Sequence, residues 1–233
     1  MADEVLGLSS MATRQLLADL GETVLREHGV VVRFRSAGGV EIARQVRDGA
    51  AADVVVLAQG AMAGLATEGL VLDSTIRPLF VSDVVAAVPT NAPGPGVGTE
   101  DELRAAMLGA RRVAYSTGPS GSALLALIER WGVMPRVAGR LVEAPPGVPV
   151  GELLAGGDAD LGFQQRSELM DVEGVVVLGA LPGEAAIRST FSGGVLATCR
   201  RPEVAAHVLD LLGSPESAAV VEARGMVLAR QDG

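Results

Sequence analysis

Short apolar runs alternate along this chain with stretches whose apolar residues recur every three or four positions. Alternation of this kind predicts strands and amphipathic helices in turn. Val5 to Leu8 reads as a first strand ending in Ser9-Ser10. Ala12 to His28 follows as a helix with Leu16, Leu17, Leu20, Val24 and Leu25 on its apolar face and Gly29 as its stop signal. Val30 to Arg35 reads as a second strand that runs into Ser36-Ala-Gly-Gly39. Val40, Ile42, Ala43 and Val46 then form a helical stripe closed at Asp48-Gly49. Asp53 to Leu57 is a buried strand followed by Gln59-Gly60 and a helix to about Ala66. Strand and helix repeated three times predict a parallel sheet with right-handed crossovers.

The rhythm then changes. Val81 to Val88 is a longer apolar strand, and Asn91 to Gly98 is a Pro/Gly-rich surface loop. Thr99 caps a helix over Glu100 to Leu108, with Glu102 completing a capping box. Arg111 to Tyr115 is a strand, and Ser116-Thr-Gly-Pro-Ser-Gly121 leads from it into a helix marked by Leu124, Leu125, Ile128 and Trp131. Leu141 to Ala144 is a short strand, and Ala144-Pro-Pro-Gly-Val-Pro149 is a rigid turn into a helix over Val150 to Ala155. Asp160 to Phe163 and Val175 to Leu178 are further strands, and Gln164-Gln165 follow the first of these. Arg188 to Ser192 and Gly194 to Cys199 carry the chain back, and helices over Val204 to Leu212 and Ser217 to Ala223 close it. The pattern predicts an α/β protein of two lobes, each a mostly parallel sheet flanked by helices: residues 1–81 with 188–233, and residues 82–187.

Composition narrows the function. The hydrophobic share of 48% with 20% charged residues suits a packed core rather than disorder. A net charge of −9, aromatics at 3% and no basic stripe exclude nucleic acid as a partner. A single cysteine, Cys199, allows no disulfide framework, and the two histidines have no metal-ligand spacing, so neither a cofactor nor a metal is expected. No run of about eighteen apolar residues predicts a membrane span. The N-terminus begins acidic and lacks the parts of a signal peptide. That predicts a cytoplasmic protein for the sequence as written, and a periplasmic one if it is a trimmed mature form.

Candidate chemistry gathers at the carboxyl ends of the predicted strands, where ligands sit in open α/β sheets. Ser9, Ser10, Ser36, Gly38, Ser116, Thr117 and Ser120 are small or hydroxyl-bearing there, and two of these turns open helices whose first N–H groups attract anions. Gln164 and Gln165 add amides that donate and accept. No Gly-Lys-Ser/Thr follows the Ser116 turn, so it is not a nucleotide P-loop. Arg14 and Arg166 are carboxylate-clamp candidates, and Thr190 and Ser192 hinge or ligand candidates. Ser9 or Ser10 is expected to cap the first helix, and Asp53 to bond nearby backbone. Cys199 reads as a small buried hydrophobe. Tyr115 is the proton donor if catalysis occurs.

Gly39 to Ala58, written G-V-E-I-A-R-Q-V-R-D-G-A-A-A-D-V-V-V-L-A, resembles the A-R-Q-I-x-x-G-A-P-A-D segment of molybdate-type solute-binding proteins, with Ala52-Asp53 its most specific part. Leu8-Ser-Ser10 is similar to that family's first oxyanion turn, and Asp158 to Phe163 to the segment that completes its cleft. The resemblance implies a type 2 periplasmic-binding-protein-like fold with an interlobe cleft that closes on a small anion. It assigns Ser10 to the first serine and places Ser120 and Val148 near backbone donors. It also implies an ABC permease partner, if the protein is exported. The family's pocket tyrosine is replaced by Phe163-Gln164-Gln165, which points away from molybdate. The expected function is non-catalytic binding of a small oxyanion or carboxylate. The rival is a cytoplasmic isomerase of an unsaturated di- or tricarboxylate, resembling aconitate isomerase on the same fold. No acid–base pair stands out for it, and the sequence assigns no oligomeric state.

Overall fold

The computed structural model describes residues 4–145 and 147–230. The turn expected over Ala144 to Pro149 includes Pro146, which lies outside the described residues, as does the acidic start at residues 1–3. The chain divides into two compact units, residues 1–81 with 190–233 and residues 82–189.

In chain order the first elements are β1 (Glu4–Ser10), α1 (Arg14–His28), β2 (Val31–Ala37), α2 (Gly39–Arg47), β3 (Val54–Ala58), α3 (Gln59–Thr67) and β4 (Arg77–Pro89). Next come α4 (Glu100–Gly109), β5 (Val113–Tyr115), α5 (Pro119–Arg130), α6 (Met134–Val137), β6 (Leu141–Glu143), α7 (Val150–Ala155), β7 (Leu161–Gln165), α8 (Arg166–Leu169) and β8 (Val175–Ala180). The chain ends with β9 (Arg188–Val195), α9 (Pro202–Leu212), α10 (Ala218–Ala223) and β10 (Met226–Leu228). The short elements α6, α8 and β10 carry too few residues for a periodic signal.

In the first unit the strands run β2-β1-β3-β9-β4, with β10 on β4. The order in the second is β4-β7-β5-β6, with β8 on β4. The expected parallel pairing holds for β1 with β2 and β3, and for β5 with β6 and β7. It gives way to antiparallel pairing where β9 meets β3 and where β4 meets β7 and β8. The sheets are therefore mixed, because β4 and β9 are long strands shared by both units rather than members of βαβ repeats.

Local sequence accounts for most elements. Val54 to Leu57 are fully buried, as a continuous apolar run in a central strand requires. Gly29 ends α1 in the left-handed region at φ 69°, its N–H bonded to the Leu25 carbonyl at 3.0 Å. The Thr99–Glu102 capping box forms, and such a cap stabilises a helix by about 1 kcal/mol.

Two stripe assignments need correction. On α1, Leu25 is 47% exposed and Gly21 is buried in its place, because the close approach of the Val32 carbonyl leaves no room there for a side chain. On α2, Val40 is 75% exposed while Ile42, Ala43 and Val46 pack on Leu8, Val55 and Leu57. In both helices the core covers a narrower arc than the apolar spacing.

Candidate functional site

In the first unit, β1 and β2 run parallel in a register that sets Ser9 beside Ser36 and Ser10 beside Ala37. The Ser9 and Ser36 hydroxyls hydrogen-bond at 2.8 Å. Both serines of the Ser9-Ser10 pair lie inside β1 rather than after it, and both are buried. The cap expected from one of them is absent: neither bonds a helix N–H, and Thr13 instead donates to the Ser10 carbonyl at 3.1 Å. The Ser10 Oγ is buried with no hydrogen-bond partner among the described residues. Gly38 precedes α2, and Gly39 comes close enough that a β-carbon there would stand 4.0 Å from the Ser10 Cβ. Ser10, Ser36 and Gly38 thus meet at one end of this unit's parallel strands, beside the start of α2, whose first N–H groups lack intrahelical partners.

In the second unit the Ser116 and Ser120 hydroxyls hydrogen-bond at 2.8 Å across the turn that opens α5. The turn is tight: a β-carbon at Gly121 would fall 1.8 Å from the Ser116 carbonyl oxygen, so only glycine fits. Thr117 at its tip is exposed and Ser120 is buried. Tyr115 is half-buried against the α5 core, and burial, followed by the Glu143 charge, holds its phenol protonated above the usual range. The Val148 N–H, expected as a ligand donor, is engaged by the Pro145 carbonyl at 2.9 Å.

Gln164 and Gln165 are the last two residues of β7, not residues beyond it, and both are 4% exposed. Adjacent strand residues face opposite sides, so their roles diverge. Gln164 accepts the Val150 N–H at 2.7 Å and donates to Glu168 at 2.9 Å, tying β7 to α7 and α8. Gln165 donates to the Ser189 hydroxyl at 2.6 Å, and its Oε1 has no partner among the described residues. Sequence reasoning missed Glu168. Burial pushes its carboxyl up to about 7, against the lowering effect of the Gln164 amide. The only signal was its place four residues after Gln164.

The remaining candidates are scattered. Arg14 and Arg166 are exposed and His207 lies on the outer face of α9. Thr190 and Ser192 belong to β9, where Ser192 pairs with Leu57. Asp53 bonds backbone as expected, and Cys199 is partly buried, its thiol on the Asp53 carboxylate at 3.3 Å. A hollow of about 340 Å³ flanks α5 along Ala123, Leu127 and Arg130 and includes none of the turn residues. Among the described residues no three acidic, histidine or cysteine side chains cluster as a metal site. Among them no single helix is long and apolar enough to cross a membrane; α9 and α10 could qualify only as a bent pair, and Val208, Leu209, Leu212 and Val221 are in the core.

Hydroxyls and helix starts at the carboxyl ends of parallel strands, twice in one chain, are the parts of a solute-binding scaffold. The profile of the bacterial extracellular solute-binding protein family matches residues 5–227. The chain belongs to that family. An aconitate isomerase from Pseudomonas sp is 31% identical over 175 residues, which span 75% of this solute-binding chain and 67% of that protein. The periplasmic molybdate-binding protein of Azotobacter vinelandii has a TM-score of 0.80 at 20% identity, over 97% of this chain and 100% of its own. The sulfate-binding protein SubI of Mycobacterium tuberculosis has a TM-score of 0.79 at 18% identity, over 96% of this chain and 86% of its own. At those identities the two structures establish the fold, that of type 2 periplasmic binding proteins. The resemblance to molybdate-type solute-binding proteins is borne out at the level of family and fold.

Proposed function

We propose that this solute-binding protein holds a small anion, an oxyanion or carboxylate, through neutral hydrogen-bond donors at its strand ends. The Ser10 hydroxyl carries the reading. It is buried, has no hydrogen-bond partner among the described residues and is set beside the Ser9–Ser36 pair and the start of α2. A buried polar group without a partner is unfavourable in the fold alone and is satisfied by a guest. Ser116, Ser120 and the first N–H groups of α5 offer the same chemistry in the second unit. None of these donors carries a charge, so recognition rests on hydrogen bonds and helix dipoles.

Thermal-shift measurements with molybdate, tungstate, sulfate and small di- and tricarboxylates test this directly. Saturable stabilisation by at least one of these anions is expected. No stabilisation by any of them, with the chain folded, would overturn the reading.

A second reading, isomerisation of an unsaturated di- or tricarboxylate, is favoured by the aconitate isomerase relative. Moving a double bond removes a proton from one carbon and returns one to another, which requires a positioned acid–base group. Proton NMR of aconitate incubated with the protein in D2O reads it: deuterium incorporation or double-bond movement supports catalysis, and an unchanged spectrum leaves binding alone.

A further inference from the structure

The register of β4 and β7 sets Val84 opposite Gln165 and Ala86 opposite Phe163. Directly opposed residues of an antiparallel pair share one face of the sheet. Val84, Ala86 and Phe163 pack in one cluster with Leu124, Leu127 and Ile128 of α5, so Gln165 stands on the α5 face. Ser82, two residues before Val84 on β4, returns to the same face. Just before β9, the Ile187 carbonyl accepts the Val84 N–H at 2.9 Å, and Ser189 follows two residues later as the second residue of the strand.

Within residues 82–189, β4, β7 and the first residues of β9 therefore bring Ser82, Gln165 and Ser189 to the end of β7, on the face where α5 begins with its Ser116–Ser120 pair. The Gln165 Nε2 donates to Ser189 and so orients the amide. That leaves Oε1 as a buried acceptor with no donor, and the Ser82 Oγ, 1% exposed, is equally without a partner among the described residues. On Gln164, by contrast, both amide atoms have a partner.

A ligand made only of acceptor oxygens cannot satisfy Gln165 Oε1. We infer that the guest carries a hydrogen-bond donor of its own, a hydroxyl beside its carboxylate, so that the substrate class is hydroxycarboxylates rather than bare oxyanions. The hydroxyl donates to Gln165 Oε1 and accepts from Ser82, while the carboxylate is taken by Ser120 and the N–H groups at the start of α5. This inference rests on the anion-binding reading above and sharpens it.

Isothermal titration of the full chain with matched pairs tests it: malate against succinate, and citrate against tricarballylate, with molybdate and sulfate alongside. The hydroxy acid of at least one pair is expected to bind about tenfold or more tightly than its deoxy partner. Gln165→Met is expected to remove that difference between the hydroxy acid and its deoxy partner. Ser82→Ala, a smaller change, is expected to reduce it. Deoxy acids or molybdate binding as tightly as the hydroxy acids would overturn this inference and leave anion binding intact. A preference that survives in Gln165→Met also overturns it. No heat or thermal shift with any anion overturns both readings. The wild-type pairs decide the question even if a variant fails to fold.

Discussion

Asp53 accepts the Leu6 N–H at 2.9 Å through its carboxylate, while its own N–H donates to the Leu6 carbonyl at 2.7 Å. The pair locks the start of β3 onto β1. In the second unit Asp160, which also follows an alanine and precedes a buried strand, takes the Arg111 and Arg112 N–H groups at 2.9 and 2.6 Å. Burial alone would raise the Asp160 carboxyl, but these N–H groups together with the Arg111 charge and the residue's own N–H hold the carboxyl below its usual range. The Ala-Asp dipeptide thus serves as a strand-register clamp at the end of each sheet away from the hydroxyl-lined turns. Asp53→Ala and Asp160→Ala are each expected to destabilise by about 1–2 kcal/mol in urea denaturation. Anion affinity is expected to stay within about twofold, and a large affinity loss with unchanged stability would contradict the clamp role.

Ser9 and Ser10 are adjacent yet differ in what they support. Ser9→Ala deletes the 2.8 Å bond to Ser36 and is expected to lower the melting temperature. Ser10→Ala deletes a hydroxyl with no partner, so stability is expected to hold or rise while anion affinity falls about tenfold. Calorimetry and titration on the two variants separate these outcomes. Equal effects on both properties would argue that the serines act as one structural unit.

Gly121→Ala places a methyl 1.8 Å from the Ser116 carbonyl oxygen, inside any allowed contact. The turn must move, at a cost of about 1–3 kcal/mol, and the Ser116–Ser120 pair moves with it. Both a lower unfolding midpoint and weaker anion binding are expected. Ser122→Ala, one residue on and exposed, is the control and is expected to change neither.

Glu168 sets a pH dependence with a definite sign. Its carboxyl titrates near 7 in the fold against 4.5 for an unperturbed glutamate, so the folded state holds a proton that the unfolded state has already released. Its contribution to stability is complete below about pH 4.5 and is lost as pH rises through about 7. Glu168→Gln is expected to flatten the fall in melting temperature across that window. An identical pH profile in the variant would show that Glu168 titrates normally.

Much of the fold was legible because its causes are local. The buried run Val54 to Leu57, the Thr99–Glu102 box and the Gly29 stop each act within a few residues, and each formed as read. The reading failed where a neighbour distant in sequence decides. Leu25 and Val40 have the right spacing to be buried, but the sheet does not reach them. The cap expected from Ser9 or Ser10 did not form, because the β1–β2 register gives Ser9 a better partner in Ser36.

Sequence by itself determined the order of strands and helices, the small hydroxyl residues at the strand ends and the family. Periodicity, turn chemistry and motif spacing are properties of contiguous residues. Only the tertiary structure decided which polar groups are already satisfied. Gln164 is occupied by Val150 and Glu168, Val148 has given its N–H to Pro145, and among the described residues the Gln165 Oε1 and the Ser10 hydroxyl have no partner. Hydrogen-bond saturation and burial are set by which strands and helices come side by side, and nothing in a single stretch of chain records that.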